Sequence, residues 1–204
     1  MWDDVFKHST LIVVDAQQGF SELCPDELPV PGATGIVRII NRLLAMPWYS
    51  KQATIDWHPK NHSSFKQQGG LYPPHCVQGT KGAEFLPGLW TEYFHAILRK
   101  GFRTEIDAYS AALDHPGWPK SLLSVGHVKG NRGVYLCGLC TNICVYETAC
   151  DFVRAGHNAV HIIEDACVAL SLPENSPYHT KKVRQKAEDI GIKFIKAEAV
   201  LPLL

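Results

Sequence analysis

A chain of 204 residues with 46% hydrophobic content can bury a substantial core, and no Ser/Gly-rich or charged linker divides it, so a single domain over residues 1–204 is expected. Twenty basic residues balance twenty acidic ones without a Lys/Arg block or acidic tail, which argues against a nucleic-acid or membrane-surface partner and favours a small, weakly charged substrate. Met1-Trp2-Asp3-Asp4 is acidic where a signal peptide is basic, no apolar run approaches the ~20 residues of a membrane span, and seven cysteines, an odd number, do not suggest a disulfide framework; a cytoplasmic protein with reduced thiols is expected.

Residues 10–14 form a β-branched apolar run that ends in Asp15, after which Ala16-Gln17-Gln18-Gly19-Phe20 breaks the pattern. Asp15 therefore stands at the carboxyl end of a buried strand, where active sites of open α/β sheets lie. A carboxylate there needs a cationic or hydrogen-bonding partner, so a structural salt bridge and a catalytic role are both open. The proline-rich residues 21–33 read as a loop, and Ile36, Ile39, Ile40, Leu43 and Leu44 give the following helix one apolar face until Pro47 ends it. A second strand is expected at 49–55.

The next segment is rich in ligand types: Asp56-Trp57-His58-Pro59-Lys60-Asn61-His62, then Tyr72-Pro73-Pro74-His75-Cys76. Residues two apart in an extended chain project to one side, so Asp56 and His58 can face a common point, with His62 or His75 as a third ligand. One carboxylate and two imidazoles suit zinc, iron or manganese, and three protein ligands leave positions open. Two solvated loop residues are the alternative. A third strand, starting at 93–95 and ending at 98, leads to Arg99-Lys100-Gly101, which sets Lys100 at another strand end; it is either a surface lysine or the ion partner of Asp15. Tyr109, in the polar loop 104–110, can donate to a substrate or simply pack.

Residues 119–127 read as a short helix and 132–137 as the fourth strand. The stretch Gly138-Leu139-Cys140-Thr141-Asn142-Ile143-Cys144 then turns into a helix for which Asn142 is the N-cap candidate. Cys144 would occupy the first turn, where free N–H groups and the helix dipole favour thiolate; the alternative is a small buried hydrophobe. Further strands are expected at 158–163 and 192–196, with a charged helix at 176–190 between them. Strands alternating with helices predict an α/β fold: three αβα layers around a six-stranded, mainly parallel sheet. A rival reading is a thiol redox or metal-binding module on Cys137-Gly138-Leu139-Cys140, a CxxC spacing, though Cys137 lies within the strand run.

Taken together, Leu11 to Phe20, Asp56 to His62, Pro73 to Thr80, Arg99-Lys100-Gly101 and Gly138 to Cys144 resemble, in order, the motifs of the nicotinamidase/pyrazinamidase group of the isochorismatase-like cysteine hydrolases. The resemblance spans nearly the whole chain and implies a triad of Asp15, Lys100 and Cys144. It also implies metal ligands Asp56, His58 and His75, with His62 as an additional candidate near the ion, and an oxyanion hole from the backbone N–H groups of Cys140 and Cys144. The substrate ring would lie between Phe20 and Tyr72, where many relatives have tryptophan at the second place. The implied activity is hydrolysis of nicotinamide, or its analogue pyrazinamide, to the acid and ammonia through a cysteine thioester, in NAD salvage. One divalent ion, zinc before iron or manganese, would hold the pyridine nitrogen. An amidase for another small amide is the nearest rival, a homo-oligomer is compatible with the sequence, and the resemblance, not the residues themselves, implies a cis peptide between Leu139 and Cys140.

Overall fold

A computed structural model describes residues 6–120 and 133–201. Its centre is a six-stranded sheet: β1 (Thr10–Val14), β2 (Ser50–Asp56), β3 (Ala96–Lys100), β4 (Val134–Leu139), β5 (Val160–Val168) and β6 (Lys193–Ile195). The strand order is β3-β2-β1-β4-β5-β6 and every neighbouring pair is parallel, so the mainly parallel sheet expected is parallel throughout. Leu11, Ile12, Val13 and Val14 are wholly buried. A strand covered on both faces reads as a continuous apolar run rather than an alternating one, which is how β1 reads.

Among the described residues, the helices that cover the sheet include α1 (Val37–Leu44), α2 (Ala111–Asp114), α3 (Tyr146–Arg154) and α4 (Thr180–Asp189). The order reverses direction between β1 and β4, so right-handed crossovers place α1 on one face and the later helices on the other. The contacts agree: α1 touches β1, whereas α3 touches both α2 and α4. The buried residues of α1, Ile40, Leu43 and Leu44, lie within the apolar stripe read from the sequence.

Three expectations need correction. The fifth strand does not stop before Glu164-Asp165; β5 runs to Val168, pairing Cys167 with Gly138 across a register shift. Its charged residues are accommodated because Glu164 pairs with Arg184 and Lys196 while Asp165 accepts from the Ala197 N–H. Cys144 does not begin an ordinary α-helix but lies in a π-helical turn, Thr141–Val145, in which the Val145 N–H reaches the Cys140 carbonyl at 3.2 Å. Asn142 is not its cap: its side-chain amide donates to the Leu170 and Tyr178 carbonyls and accepts from the Leu170 N–H, tying the turn to the loop after β5. The helix expected at 119–127 falls mostly outside the described residues, as does the start of the strand expected from 132.

Candidate active site

In an open α/β sheet the crevice forms at the carboxyl ends of the strands where the order reverses, here between β1 and β4. Asp15 follows β1, Asp56 and Lys100 end β2 and β3, and the turn carrying Cys144 follows β4. Four strand ends thus converge, and Asp56 and Lys100 are register partners.

Lys100 is the hub. It is 1% exposed, and its Nζ lies 2.9 Å from Asp15 Oδ2, 3.5 Å from Cys144 Sγ and 3.2 Å from the Ala108 carbonyl, and it donates to Asp56 Oδ1. Burial works against its charge, but Asp15 and then Asp56 more than offset this and hold the ammonium well above its ordinary pKa. Asp15 is fully buried and sits at φ 46, an uncommon conformation for a residue with a side chain. Its Oδ1 accepts from Thr54 Oγ1 at 2.7 Å, whereas Oδ2 has the ammonium beside it without a hydrogen bond along its lone pairs. Burial raises its pKa to about 6 against the pull of Lys100. Oδ2 is therefore an acceptor with spare capacity, next to the group that holds the thiol.

The expectation of a thiolate favoured at Cys144 is corrected. The side chain is only 6% exposed, and burial pushes the thiol well above its ordinary pKa despite Lys100. Desolvation outweighs the attraction of Lys100 because a buried thiolate loses its hydration, and the carboxylates of Asp15 and Asp56 oppose a further negative charge beside them. To act as a nucleophile, this thiol would have to give up its proton to a neighbour.

Beside the hub, Asp56, His58 and His75 bring one ligand atom each within 4.8 Å of one another. Asp56 divides its oxygens: Oδ1 takes Lys100, while Oδ2 lies 3.6 Å from His58 Nε2. Burial pushes the Asp56 carboxyl up, but Lys100 and then His58 bring it well below the carboxylate range. His58 Nδ1 is 2.9 Å from the Gly101 carbonyl and His75 Nδ1 2.8 Å from the Pro73 carbonyl. A carbonyl can only accept, so both Nδ1 atoms carry a proton, which turns each Nε2 toward the cluster and leaves it a lone pair whenever the ring is neutral, the arrangement that imidazole ligands need. Burial lowers the His75 pKa to about 4, which keeps its ring neutral. This donor set fits a zinc-type cation. His75 arrives by local pairing: the His58 N–H donates to the Cys76 carbonyl and the Gln78 N–H to the His58 carbonyl.

His62 is placed otherwise. Its Nδ1 is 2.7 Å from Ser64 Oγ and its Nε2 3.0 Å from the Ile106 carbonyl, so neither nitrogen is free for an ion; the ring packs on His58 with centroids 4.1 Å apart. A crevice above these groups is lined by Phe20, Tyr72, His75, Tyr109, Cys140 and Cys144, together with Leu28, Asp107 and Ile143. Tyr72 and Tyr109 meet through their hydroxyls at 3.3 Å. The Leu139–Cys140 peptide is cis. Cys137, by contrast, is wholly buried with its Sγ toward the Ile12 carbonyl, not exposed at a helix start as the first cysteine of a CxxC redox pair is.

Sequence reasoning missed several residues that hold the site. Gln17 clamps the Asp56 backbone, accepting from its N–H at 2.8 Å and donating to its carbonyl at 2.9 Å and to the Ala83 carbonyl. Its spacing of two from Asp15 in a buried turn was the available signal. Thr54 orients Asp15. Gly101 lies so close to His58 that an added Cβ would sit 2.4 Å from the ring Cε1.

The Isochorismatase domain family matches residues 9–191. The chain is 39% identical to the nicotinamidase of Acinetobacter baylyi over 180 residues, 79% of this chain and 82% of that one. Among solved structures, a nicotinamidase/pyrazinamidase of Acinetobacter baumanii superposes with a TM-score of 0.84 at 33% identity, covering 96% of this chain and 99% of the other. The pyrazinamidase of Pyrococcus horikoshii in complex with zinc gives a TM-score of 0.73 at 32% identity, covering 93% and 99%. With a family match across most of its length and relatives aligned nearly end to end, the chain belongs to the isochorismatase domain family.

Proposed function

We propose that the protein hydrolyses nicotinamide to nicotinate and ammonia, and the analogue pyrazinamide likewise, serving NAD salvage. The observation that supports this reading most is the single ammonium of Lys100, which touches the base, the nucleophile and the metal-ligand cluster at once. The named relatives are nicotinamidases, and the crevice has the aromatic rings of Phe20 and Tyr72 in its lining. Unpaired cysteines support a reducing compartment, the cytoplasm. No helix among the described residues is long and apolar enough to cross a membrane.

In this reading Asp15 Oδ2 takes the Cys144 thiol proton as sulfur attacks the amide carbon. Lys100 stabilises the emerging thiolate and keeps Asp15 aimed. The N–H groups of Cys140 and Cys144 receive the oxyanion, a contribution of about 3 kcal/mol per donor. The proton on Asp15 passes to the leaving nitrogen, the C–N bond breaks and ammonia departs. Water then adds to the thioester, giving its proton to Asp15; the C–S bond breaks, nicotinate forms and the sulfur recovers the proton. Asp56, His58 and His75 would hold a divalent ion, zinc by donor type, which when bound supplies a Lewis-acid anchor for the ring nitrogen. Ammonia release from nicotinamide by the parent and by Cys144→Ala tests the reading. Turnover confined to the parent is expected, and full activity in the variant refutes it.

A further inference from the structure

Glu27 has no part in the chemistry above, yet its carboxylate is wedged between three loops of the site. The segment that carries it folds back on the ring slot: the Leu28 N–H donates to the Gly19 carbonyl at 3.1 Å and the Val30 N–H to the Phe20 carbonyl at 3.2 Å. Leu28 and Phe20 both line the crevice. From there Glu27 Oε2 accepts from the Cys76 N–H at 2.8 Å, the peptide immediately after His75. Cys76 is wholly buried and holds φ at 47, so the chain bends sharply where this bond is made.

Two glycines make the space. A Cβ on Gly19 would lie 2.3 Å from Glu27 Oε2, and one on Gly82 would lie 2.0 Å from Oε1. Any larger residue at either position would expel the carboxylate. A charged acceptor on a backbone N–H is also stronger than a neutral one. His75 is consequently fixed at two points, through Nδ1 to the Pro73 carbonyl and through the following peptide to Glu27.

We propose that Glu27 is a positioning residue for the metal centre, latching the loop that carries His75 to the loop that carries Phe20 and Leu28. The proposal rests on the metal-binding reading of Asp56, His58 and His75. Removing the latch leaves all three ligands in the chain but frees the His75 loop, so the loss appears as weaker metal binding and poorer ring binding rather than a slower chemical step.

The test is competition for Zn2+ between the metal-free protein and a chromophoric chelator, using the parent, Glu27→Ala, Glu27→Gln and Gly82→Ala. Glu27→Ala should weaken zinc binding by about tenfold, the lower end of what removing an outer partner of a metal ligand costs. Glu27→Gln keeps an acceptor oxygen and should largely restore affinity. Gly82→Ala retains Glu27 but pushes its carboxylate aside, so it should weaken zinc binding too and decides the matter if Glu27→Ala does not fold. At saturating zinc the alanine variant should show a raised KM for nicotinamide with kcat little changed. Parent affinity in both Glu27→Ala and Gly82→Ala, with only a lowered Tm, overturns the latch while sparing the metal site. A parent protein that takes up no zinc overturns the metal site itself and the latch with it.

Discussion

Replacing Lys100 with methionine keeps the volume of the side chain and deletes its charge. The carboxylates of Asp15 and Asp56, 0% and 4% exposed, then face each other without a cation. Breaking a buried ion pair from one side costs about 3–5 kcal/mol, because the remaining charge can neither hydrate nor pair. The cost must depend on pH, and its sign follows from Asp15. Burial has already raised that carboxyl from 3.8 to about 6 in the presence of Lys100. The folded state therefore binds the proton more tightly than the unfolded state, and the stability this group contributes is complete below pH 4 and lost as pH rises through about 6. At 1.36 kcal/mol per unit the parent gives up about 3 kcal/mol across that window. Without the ammonium the Asp15 pKa rises further and the loss extends to higher pH. Urea unfolding of metal-free protein, followed by far-UV circular dichroism at pH 5 and pH 8, should show Lys100→Met destabilised by about 3–5 kcal/mol at pH 8 and by clearly less at pH 5, where Asp15 takes up a proton. Equal losses at the two pH values, or a loss under about 1 kcal/mol at pH 8, would refute the picture of one cation neutralising two buried carboxylates.

Gln17→Leu strips the Asp56 N–H and carbonyl of their partners, and leaving such buried groups unsatisfied should cost about 2–4 kcal/mol in urea unfolding; a loss below about 0.5 kcal/mol would show that water takes over the clamp. Gly101→Ala drives a Cβ into the His58 ring at a position with φ 63, so zinc affinity by chelator competition should fall about 10- to 100-fold, the range for disturbed ligand support. Unchanged affinity would mean that His58 is not a ligand. In the acid limb of kcat/KM, activity should rise with pH as Asp15 ionises, its raised pKa of about 6 setting the upper bound because a bound cation at Asp56 lowers it. Thr54→Val removes a bond that holds the carboxylate form, so the limb should move to higher pH; movement to lower pH would exclude Asp15 as the titrating group.

Residues at strand ends were legible because they interrupt apolar runs. Asp15 closes β1, Lys100 closes β3, and the burial that makes such a charge costly is what made each conspicuous. The Asp56/His58 pair was legible through its spacing, and His75 through the prolines before it. What stayed hidden was decided across the chain rather than along it. Which of His62 and His75 keeps a nitrogen open beside Asp56 and His58 depends on Ser64 and Ile106, which occupy both nitrogens of the first, and on the Pro73 carbonyl, which leaves one nitrogen of the second open. No local pattern encodes that choice. The thiol at Cys144 illustrates the same limit from the opposite side. The local argument, a residue in the first turn after a strand, favours a low pKa, while the tertiary burial that only the fold supplies pushes it up. The two are reconciled by Asp15, whose own pKa is lifted by the same burial and so becomes a competent proton acceptor at near-neutral pH. A single enclosure thus raises the Cys144 thiol and the Asp15 carboxyl together. In the proposed mechanism Lys100, in contact with both, would keep the pair one proton transfer away from the nucleophilic state instead of letting a thiolate stand in the resting protein.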